Sequence, residues 1–331
     1  MNNDSRRNVK TGMKTCDSST KAPLPTAPPE VRSMHADDVD TLSLSWRNRY
    51  EPDEMQSMLR SFPGRSVWHP ESQEFVLVNP WRHRAETVIL AEIFSIRHVR
   101  PLLRGVFERC RTEGAKVVLT AEMQERQQPH FWAGVGLYHL ETVIALALSP
   151  LRLRPSVADR LAFQRVMPGD TQAIDLLVRI DNNAFSWLWW NSKAEFESYL
   201  ALSEVEVYLA MLGNQVVGYV GLTRYRGWGH LDRVAIAPEF QGKGLGREAV
   251  DFTIARGLEL GFRSLSLSTQ EENWQSRAVY RNAGFEHVRD NDYRLYGHWL
   301  VDDRTLPGPG NGVTLVSSSI PHRNERNLSG G

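Results

Sequence analysis

A glycine-dense segment that follows a β-rich run carries the strongest chemical signal in the sequence. Residues 234–247 read Val-Ala-Ile-Ala-Pro-Glu-Phe-Gln-Gly-Lys-Gly-Leu-Gly-Arg, and helical spacing of apolar residues follows at once. Its glycines let the backbone turn tightly and approach a ligand without interference from a Cβ atom. Free amides at the helix start then converge on one point, where the helix dipole favours an anion. With Lys243 and Arg247 nearby, the segment predicts a pyrophosphate-binding site.

Three interpretations of this segment compete. A Walker loop needs Gly-x-x-x-x-Gly-Lys followed by Ser or Thr, and the segment lacks that arrangement. A dinucleotide fingerprint needs Gly-x-Gly-x-x-Gly, whereas Gly242, Gly244 and Gly246 form Gly-x-Gly-x-Gly. The third interpretation is a glycine-rich turn that binds nothing. The segment alone leaves these alternatives open.

A second motif begins at Asn273. From there the sequence reads Asn-Trp-Gln-Ser-Arg-Ala-Val-Tyr-Arg-Asn-Ala-Gly-Phe. Asn273 is a typical helix N-cap, and Gly284 is typical of the residue just after a helix C-terminus. Because seven residues make about two helical turns, Asn273 and Tyr280 are predicted to lie on one side of the helix. Alone, Tyr280 would be interpreted as an ordinary half-buried tyrosine.

Predicted strands and helices alternate around both motifs, and a similar order of strands and helices is predicted in the first half of the chain. In the second half, we predict helices over 245–260 and from Trp274 onward. The predicted strands there are Val205–Met211, Val216–Leu222, His230–Ala237, a short run at Leu265–Leu267, and Tyr293–Leu300. In the first half, we predict helices over Pro101–Thr112 and near His130–Ala133. The predicted strands there are Phe75–Val78, Thr87–Ile96, Val117–Leu119 and Thr142–Leu148. A shift of about 148 residues aligns Val117 with Leu265 and Gly136 with Gly284, which indicates two copies of one domain joined near Leu151–Pro155.

Together, the two motifs resemble the GNAT superfamily of acyl-CoA-dependent N-acetyltransferases. The resemblance rests on Gln-x-x-Gly-x-Gly opening a helix after a strand, then Asn-x6-Tyr-x3-Gly-Phe, and it covers about Leu161–Leu300. It implies an α+β fold of two tandem domains, each a mixed, mostly antiparallel sheet flanked by helices. The tandem layout is also similar to mycothiol synthase, but no residue match carries over that enzyme's substrate.

The resemblance also implies acetyl-CoA as cosubstrate and a role for each motif residue. Backbone amides of a phosphate loop, with Arg247, would bind the coenzyme A pyrophosphate: Gln241, Gly242, Lys243, Gly244, Leu245 and Gly246. The pantetheine arm would pair with one strand backbone like an added strand, at Val234, Ile236 and Ala237. Asn273 would contact the same arm, and Tyr280 would face the sulfur.

Proton accounting then assigns an acid and a base. The ammonium of the acceptor, with a pKa of about 10, must lose a proton before it can attack, and the departing thiolate must gain one. Tyr280 suits the acid role because a phenol is protonated at neutral pH. For the base, strand alternation predicts Asp232 on the same face as Val234 and Ile236. His230 is the rival base, and both residues could equally be surface positions on a strand.

The first half lacks both functional features. After its strand near Ile96 comes Arg97–Arg104, which has no glycine with which to turn around a pyrophosphate. The counterpart of Tyr280 is Trp132, and an indole cannot serve as a general acid near neutrality. We therefore predict a non-catalytic, structural or substrate-shaping copy.

Aromatic residues mark a candidate acceptor region ahead of the second half's hairpin. The segment 183–192 reads Asn-Ala-Phe-Ser-Trp-Leu-Trp-Trp-Asn-Ser. It could form an amphipathic wall beside the acceptor, with Tyr225, Trp228 and His230 lining the same cleft. Packing between the two halves is favoured, because aromatic clusters are more often core.

The composition of the chain limits the classes of partner and the cellular compartment that we expect. The 331 residues contain 39 Lys plus Arg and 39 Asp plus Glu, so zero net charge gives no reason to expect nucleic acid. Two cysteines, Cys16 and Cys110, cannot form a disulfide framework or a four-ligand zinc site. No run reaches the roughly 20 apolar residues of a membrane helix. We expect a soluble cytoplasmic protein without a metal or a membrane partner, either a monomer (an internal pseudo-dimer) or a homodimer.

These observations predict an N-acetyltransferase that uses direct attack by a primary amine of a small molecule or peptide in a ternary complex. The alternative is a coenzyme A-binding sensor or scaffold without turnover. Four segments are expected: a disordered segment 1–30, a degenerate domain 31–152, a catalytic domain 153–303 and a disordered tail 304–331.

Overall fold

A computed structural model describes residues 30–123, 129–152 and 159–301 of the chain. The segments predicted to be disordered lie almost entirely outside these residues, and so does part of the predicted junction near Leu151–Pro155. The described residues from Val31 to Val301 belong to one compact unit. No helix among the described residues is both long enough and apolar enough to cross a membrane.

The described residues of the first half form six strands and three α-helices. In chain order they are β1 (Arg32–Ser33), α1 (Pro52–Ser61), β2 (Val67–His69), β3 (Glu74–Trp81), β4 (Arg84–Phe94), α2 (Val99–Thr112), β5 (Val117–Met123), α3 (Pro129–Gly134) and β6 (Tyr138–Leu148). The predicted strands and helices of this half are confirmed, each with its ends moved by a few residues. The sequence patterns gave no prediction for α1 or β2.

In the second half, seven strands and four α-helices lie within the part of the chain that the structure describes. They are β7 (Leu161–Val166), α4 (Thr171–Ala184), α5 (Lys193–Leu200), β8 (Val205–Leu212), β9 (Gln215–Tyr225), β10 (Trp228–Ile236), α6 (Leu245–Glu259), β11 (Ser264–Gln270), α7 (Trp274–Asn282), β12 (Glu286–His287) and β13 (Tyr293–Trp299). Asn273 caps α7 as predicted, because its side chain accepts a hydrogen bond from the Ser276 amide at 3.2 Å. Gly284, just past the same helix, has φ 90°.

All thirteen strands form one sheet, in the order β1-β2-β3-β4-β5-β13-β6-β11-β10-β9-β8-β7, with β12 paired to β6 off this path. Two neighbouring pairs are parallel: β4 with β5, joined through α2, and β10 with β11, joined through α6. The other pairs are antiparallel. The predicted fold class, a mixed and mostly antiparallel sheet flanked by helices, is confirmed.

The two halves exchange their last strands, and this exchange merges the two predicted sheets into one. Strand β13 of the second half pairs with β5 of the first over Tyr293–Trp299. Strand β6 of the first half pairs with β11 of the second over six residues, from Leu148 opposite Leu265 to Val143 opposite Gln270. Each half therefore depends on the other for backbone hydrogen bonds at the centre of the sheet.

The aromatic segment before α5 packs between the halves, as predicted. Trp187, Leu188 and Trp189 are buried in one core cluster together with Trp81, Val117 and Leu119 of the first half. The Trp81 and Trp189 rings meet edge to face with their centroids 5.9 Å apart. The Trp81 indole also donates a hydrogen bond to the Leu188 carbonyl at 3.2 Å. This contact fixes the two halves against each other on the side of the sheet that carries α4 and α5.

Candidate active site

Beyond their first residues the parallel strands β10 and β11 are no longer paired, and we call the gap between them the cleft. They pair only at their first residues, from Trp228 opposite Ser264 to His230 opposite Ser266. Strand β10 then continues to Ile236 and β11 to Gln270, with no register between them. A separated strand pair allows an extended ligand to add to the edge of β10 that has no strand partner.

The backbone predicted to pair with such a ligand lies along this cleft, but part of it is already occupied. Val234 and Ile236 are in register with β9, opposite Val220 and Gly218. The Ile236 carbonyl accepts a hydrogen bond from the Gln241 side chain at 2.7 Å. The Ala237 amide donates to the Val217 carbonyl at 2.8 Å, so this amide is not available to a ligand.

A β-bulge at Asp232 corrects the prediction that Asp232, Val234 and Ile236 share one face. The register of β10 on β9 shifts between Leu231 and Arg233, so Asp232 is an extra residue. Val234 and Ile236 are buried in the core that includes α6. Asp232 instead bonds Thr223 and Tyr199, and it lies on the opposite face, which carries α5. The extra residue reverses the alternation that the sequence predicts.

Asp232 is buried and fully engaged by donors. Its carboxylate accepts a hydrogen bond from the Tyr199 hydroxyl, one from Thr223 Oγ1 at 2.6 Å, and one from His230 Nδ1 at 2.9 Å. With a proton assigned to Nδ1 by this contact, Nε2 of His230 carries the lone pair. The arrangement is a histidine oriented by a carboxylate, which is typical of a general base.

Tyr280 lies at the opposite face of β10, in the core that also contains Val234. Its side chain is fully buried, and its hydroxyl has no hydrogen-bond partner among the described residues. Burial raises the pKa of this phenol well above its usual value, so Tyr280 is protonated at neutral pH. A buried hydroxyl without a partner costs free energy, which a ligand atom can recover.

The phosphate loop, Gln241–Arg247, has the backbone that the sequence predicts. Gly242 and Gly244 have φ values of 72° and 82°, in the left-handed region that favours glycine. Gly244 is the N-cap of α6 and has no side chain with which to cap it. Within the described part of the chain, the amides of residues 242–246 donate no backbone hydrogen bond. These donors converge at a helix start, where an oxyanion binds well.

The two basic residues of the loop have local partners. Arg247 Nε donates to both carboxylate oxygens of Asp251, at 2.9 and 3.0 Å. Lys243 Nζ donates to the Glu239 carbonyl at 2.9 Å and lies over the Phe240 ring. The positive charge predicted beside the loop is therefore partly neutralised, and the backbone amides are the main anion-binding groups.

Arg160 supports the loop, and the sequence motifs did not identify it. Its Nη2 donates to the Lys243 carbonyl at 2.8 Å. Its Nε donates to Glu248 Oε1 at 2.7 Å, and its own amide donates to Glu248 Oε2 at 3.0 Å. Because Arg160 lies 83 residues before Lys243, no local spacing connects the two. A buried glutamate in the first turn of α6 is the only hint, since it requires a cationic partner.

Among the described residues of the first half, a tryptophan with a protein partner stands at the position equivalent to Tyr280. Trp132 is buried, and its indole Nε1 donates a hydrogen bond to Glu122. No cluster of His, Cys, Asp or Glu able to hold a metal ion occurs among the described residues.

Comparison with known proteins gives a family match for the part of the chain that holds the cleft. Residues 174–285 match the model of the acetyltransferase (GNAT) family. No curated protein matches the chain. The fold is similar to a GCN5-related N-acetyltransferase from Sphaerobacter thermophilus, with 14% identity, a TM-score of 0.52, and coverage of 84% of this chain and 96% of that one. It is also similar to a GCN5-related N-acetyltransferase from Anabaena variabilis, with 7% identity, a TM-score of 0.56, and coverage of 82% and 73%. A putative acetyltransferase from Pyrococcus horikoshii covers 91% of this chain and 99% of its own, with 10% identity and a TM-score of 0.51. At these identities, the likeness concerns the fold.

Proposed function

This chain carries an acetyltransferase domain of the GNAT family, and from that premise we propose that it transfers an acetyl group from acetyl-CoA to a primary amine of a small molecule or peptide. The observation that carries the proposal is the hydroxyl of Tyr280, which is buried and has no hydrogen-bond partner in the described ranges of the chain. When bound, acetyl-CoA supplies a thioester whose carbonyl is the electrophile.

Binding rests on the backbone of the second half. The unpaired amides of residues 242–246 would hold the pyrophosphate at the start of α6. The edge of β10 that faces away from β9 would hold the pantetheine arm by strand addition, near Val234 and Ile236. Asn273 would contact the same arm at the start of α7. Arg160 would act indirectly, by fixing the Lys243 carbonyl and thereby the loop.

Tyr280 is the proposed general acid. Its phenol proton would pass to the sulfur as the carbon–sulfur bond breaks, and the phenolate would regain a proton from the nitrogen, which loses its second proton once the carbon–nitrogen bond has formed. Burial keeps the phenol protonated, and no protein acceptor among the described residues competes for that proton. The hydroxyl is thus available to donate its proton to an atom of a bound ligand.

His230 is the proposed general base, and Asp232 is the proposed positioning residue. Nε2 of His230 would take the proton from the ammonium of the acceptor before attack. The carboxylate of Asp232 fixes the tautomer and the orientation of the ring through its 2.9 Å contact with Nδ1. Direct proton transfer to Asp232 is disfavoured, because Tyr199, Thr223 and His230 already occupy its oxygens.

The experiment that tests the proposal is a free-thiol assay across a panel of amines, run with acetyl-CoA and with longer acyl-CoAs. The proposal predicts thiol release that depends on an amine and is fastest with acetyl-CoA, with the acetylated amine identified by mass spectrometry. A coenzyme A-binding sensor would bind acetyl-CoA without amine-dependent release. Release that is independent of every amine tested would contradict the transferase assignment.

A further inference from the structure

The loop after β4 occupies the same place in the first half as the phosphate loop does in the second. In each half, a strand leads through a loop into a helix that returns to a parallel neighbour, β4–α2–β5 and β10–α6–β11. The helix α2 has 14 residues, and the segment before it is Ser95–His98. The two helix starts are therefore equivalent positions of one repeated fold.

Unlike its counterpart, this helix start already holds an anion, the carboxylate of Glu74. Glu74 is the first residue of β3 and is 7% exposed. Ser95 Oγ donates to it at 2.7 Å and His98 Nδ1 contacts it at 3.0 Å. Three consecutive backbone amides also donate to its two oxygens: Ile96 at 3.3 Å, Arg97 at 3.1 Å and His98 at 2.8 Å.

The carboxylate is held in its charged form. Burial raises the pKa of Glu74, but hydrogen bonds from Ser95 and from the backbone at Arg97, His98 and Ile96 outweigh it and lower the pKa to about 2. The His98 ring is itself fixed by stacking on His69, with centroids 4.4 Å apart. A charged carboxylate on successive amides at a helix start has the chemistry of a phosphate bound at that position.

A second difference between the halves lies at the position of Tyr280, where the first half has a hydrogen bond between two side chains. The shift of about 148 residues that aligns the halves places Trp132 opposite Tyr280 and Glu122 opposite Gln270. In the first half, the indole of Trp132 donates to Glu122. In the second half, the Tyr280 hydroxyl and Gln270 Oε1 are buried without partners among the described residues. In the first half, a hydrogen bond between two side chains therefore satisfies this position. In the second half, two polar atoms at the equivalent position lack a protein partner among the described residues.

We propose that the first half retains an anion-binding site at Ser95–His98 and that Glu74 occupies it as an intramolecular ligand, which excludes external carboxylates and phosphates. This inference is independent of the acetyl transfer proposed above, because it concerns a site in the other half. Removing the carboxylate should leave an empty nest of amides that binds a small oxyanion from solution.

The test is the thermal unfolding of Glu74→Ala in acetate or inorganic phosphate against chloride at matched ionic strength. In the wild type, any stabilisation by phosphate should come from the phosphate loop of the second half, so the test is the additional response of the variant. The variant should unfold at a lower temperature in chloride, and its midpoint should rise by several degrees and saturate as acetate or phosphate is added. If Glu74→Ala is unfolded in chloride, the same titration is followed as recovery of the far-ultraviolet circular dichroism.

Two variants make the result specific. Glu74→Gln keeps a side chain in the nest, so it should lose stability without gaining any response to anions. Glu71→Ala removes an exposed glutamate close by and should behave as the wild type. A Glu74→Ala protein that no anion stabilises, or one that acetate and phosphate stabilise no more than they stabilise the wild type, would overturn the proposal.

Discussion

At the scale of single residues, the proposed chemistry divides between the two faces of β10. His230 and Asp232 lie on the face that carries α5, and Tyr280 lies against the other face. The bulge at Asp232 creates this division, because it moves Asp232 away from Val234. The sequence analysis proposed Tyr280 as the acid and left Asp232 and His230 as alternative bases. Strand alternation placed Asp232 on the wrong face, since no residue type in this strand marks the extra position.

Tyr280→Phe should lower turnover by roughly 10²–10⁴-fold while acetyl-CoA binding is kept, because the change removes only the donor hydroxyl. The measurement is steady-state kinetics, with binding by calorimetry. The matched control is Tyr296→Phe, which removes a buried hydroxyl in the part of the sheet next to Trp132. Full activity in Tyr280→Phe would return Tyr280 to a purely structural role.

His230→Gln should lower turnover by about 10²–10⁴-fold, and the rise of the rate with pH that reports the base should disappear. Because a base works only in its deprotonated form, the wild-type rate should rise with pH. Asp232→Asn should retain more activity than His230→Gln, because it removes orientation rather than the proton acceptor. His139→Gln, at an exposed histidine, is the control. An unchanged pH profile in His230→Gln would assign the base to another group.

At the scale of elements, most strands and the helices beside the motifs could be predicted from the sequence. The runs that became β8, β9, β10 and β13 are rich in β-branched and aromatic residues, and the glycines before α6 mark its start. The strand exchange could not be predicted, because the pairing of β13 with β5 joins residues far apart in the chain. Arg160 was missed for the same reason, since its contact with the phosphate loop is long-range.

The phosphate loop gives a prediction at this scale. Gly244→Val should abolish acetyl-CoA binding, because a β-branched side chain at φ 82° distorts the loop and blocks close approach of the pyrophosphate. Gly261→Val is the matched control, since Gly261 lies just past the other end of α6 with φ 78° and open space around it. Both changes should cost about 1–3 kcal/mol of stability from backbone strain. Only Gly244→Val should lower the affinity for acetyl-CoA measured by calorimetry. Equal affinity in both variants would contradict the assignment of the loop.

At the scale of the whole molecule, the exchanged strands join the halves into one cooperative structure. Strand β13 stands between β5 and β6, so neither half can complete its sheet alone. The shared core around Trp81 and Trp189 reinforces this connection. The two segments on either side of the predicted boundary near residue 152 share backbone hydrogen bonds.

Scanning calorimetry of the full chain should show a single unfolding transition, because loss of either half removes strand partners from the other. Circular dichroism and tryptophan fluorescence should report the same midpoint, since tryptophans of both halves lie in the shared core. Two resolved transitions, or midpoints that differ between the two probes, would show that the halves unfold independently.

The central claim is that one cleft, in the second half, binds acetyl-CoA while Glu74 and Trp132 fill the equivalent region of the first. The most direct test is a calorimetric titration of the wild-type protein with acetyl-CoA at physiological ionic strength. The structure predicts one site per chain, formed by the amides of residues 242–246. Two sites of similar affinity would show that the first half also binds the cosubstrate, and the absence of any binding would contradict the assignment of the cleft itself.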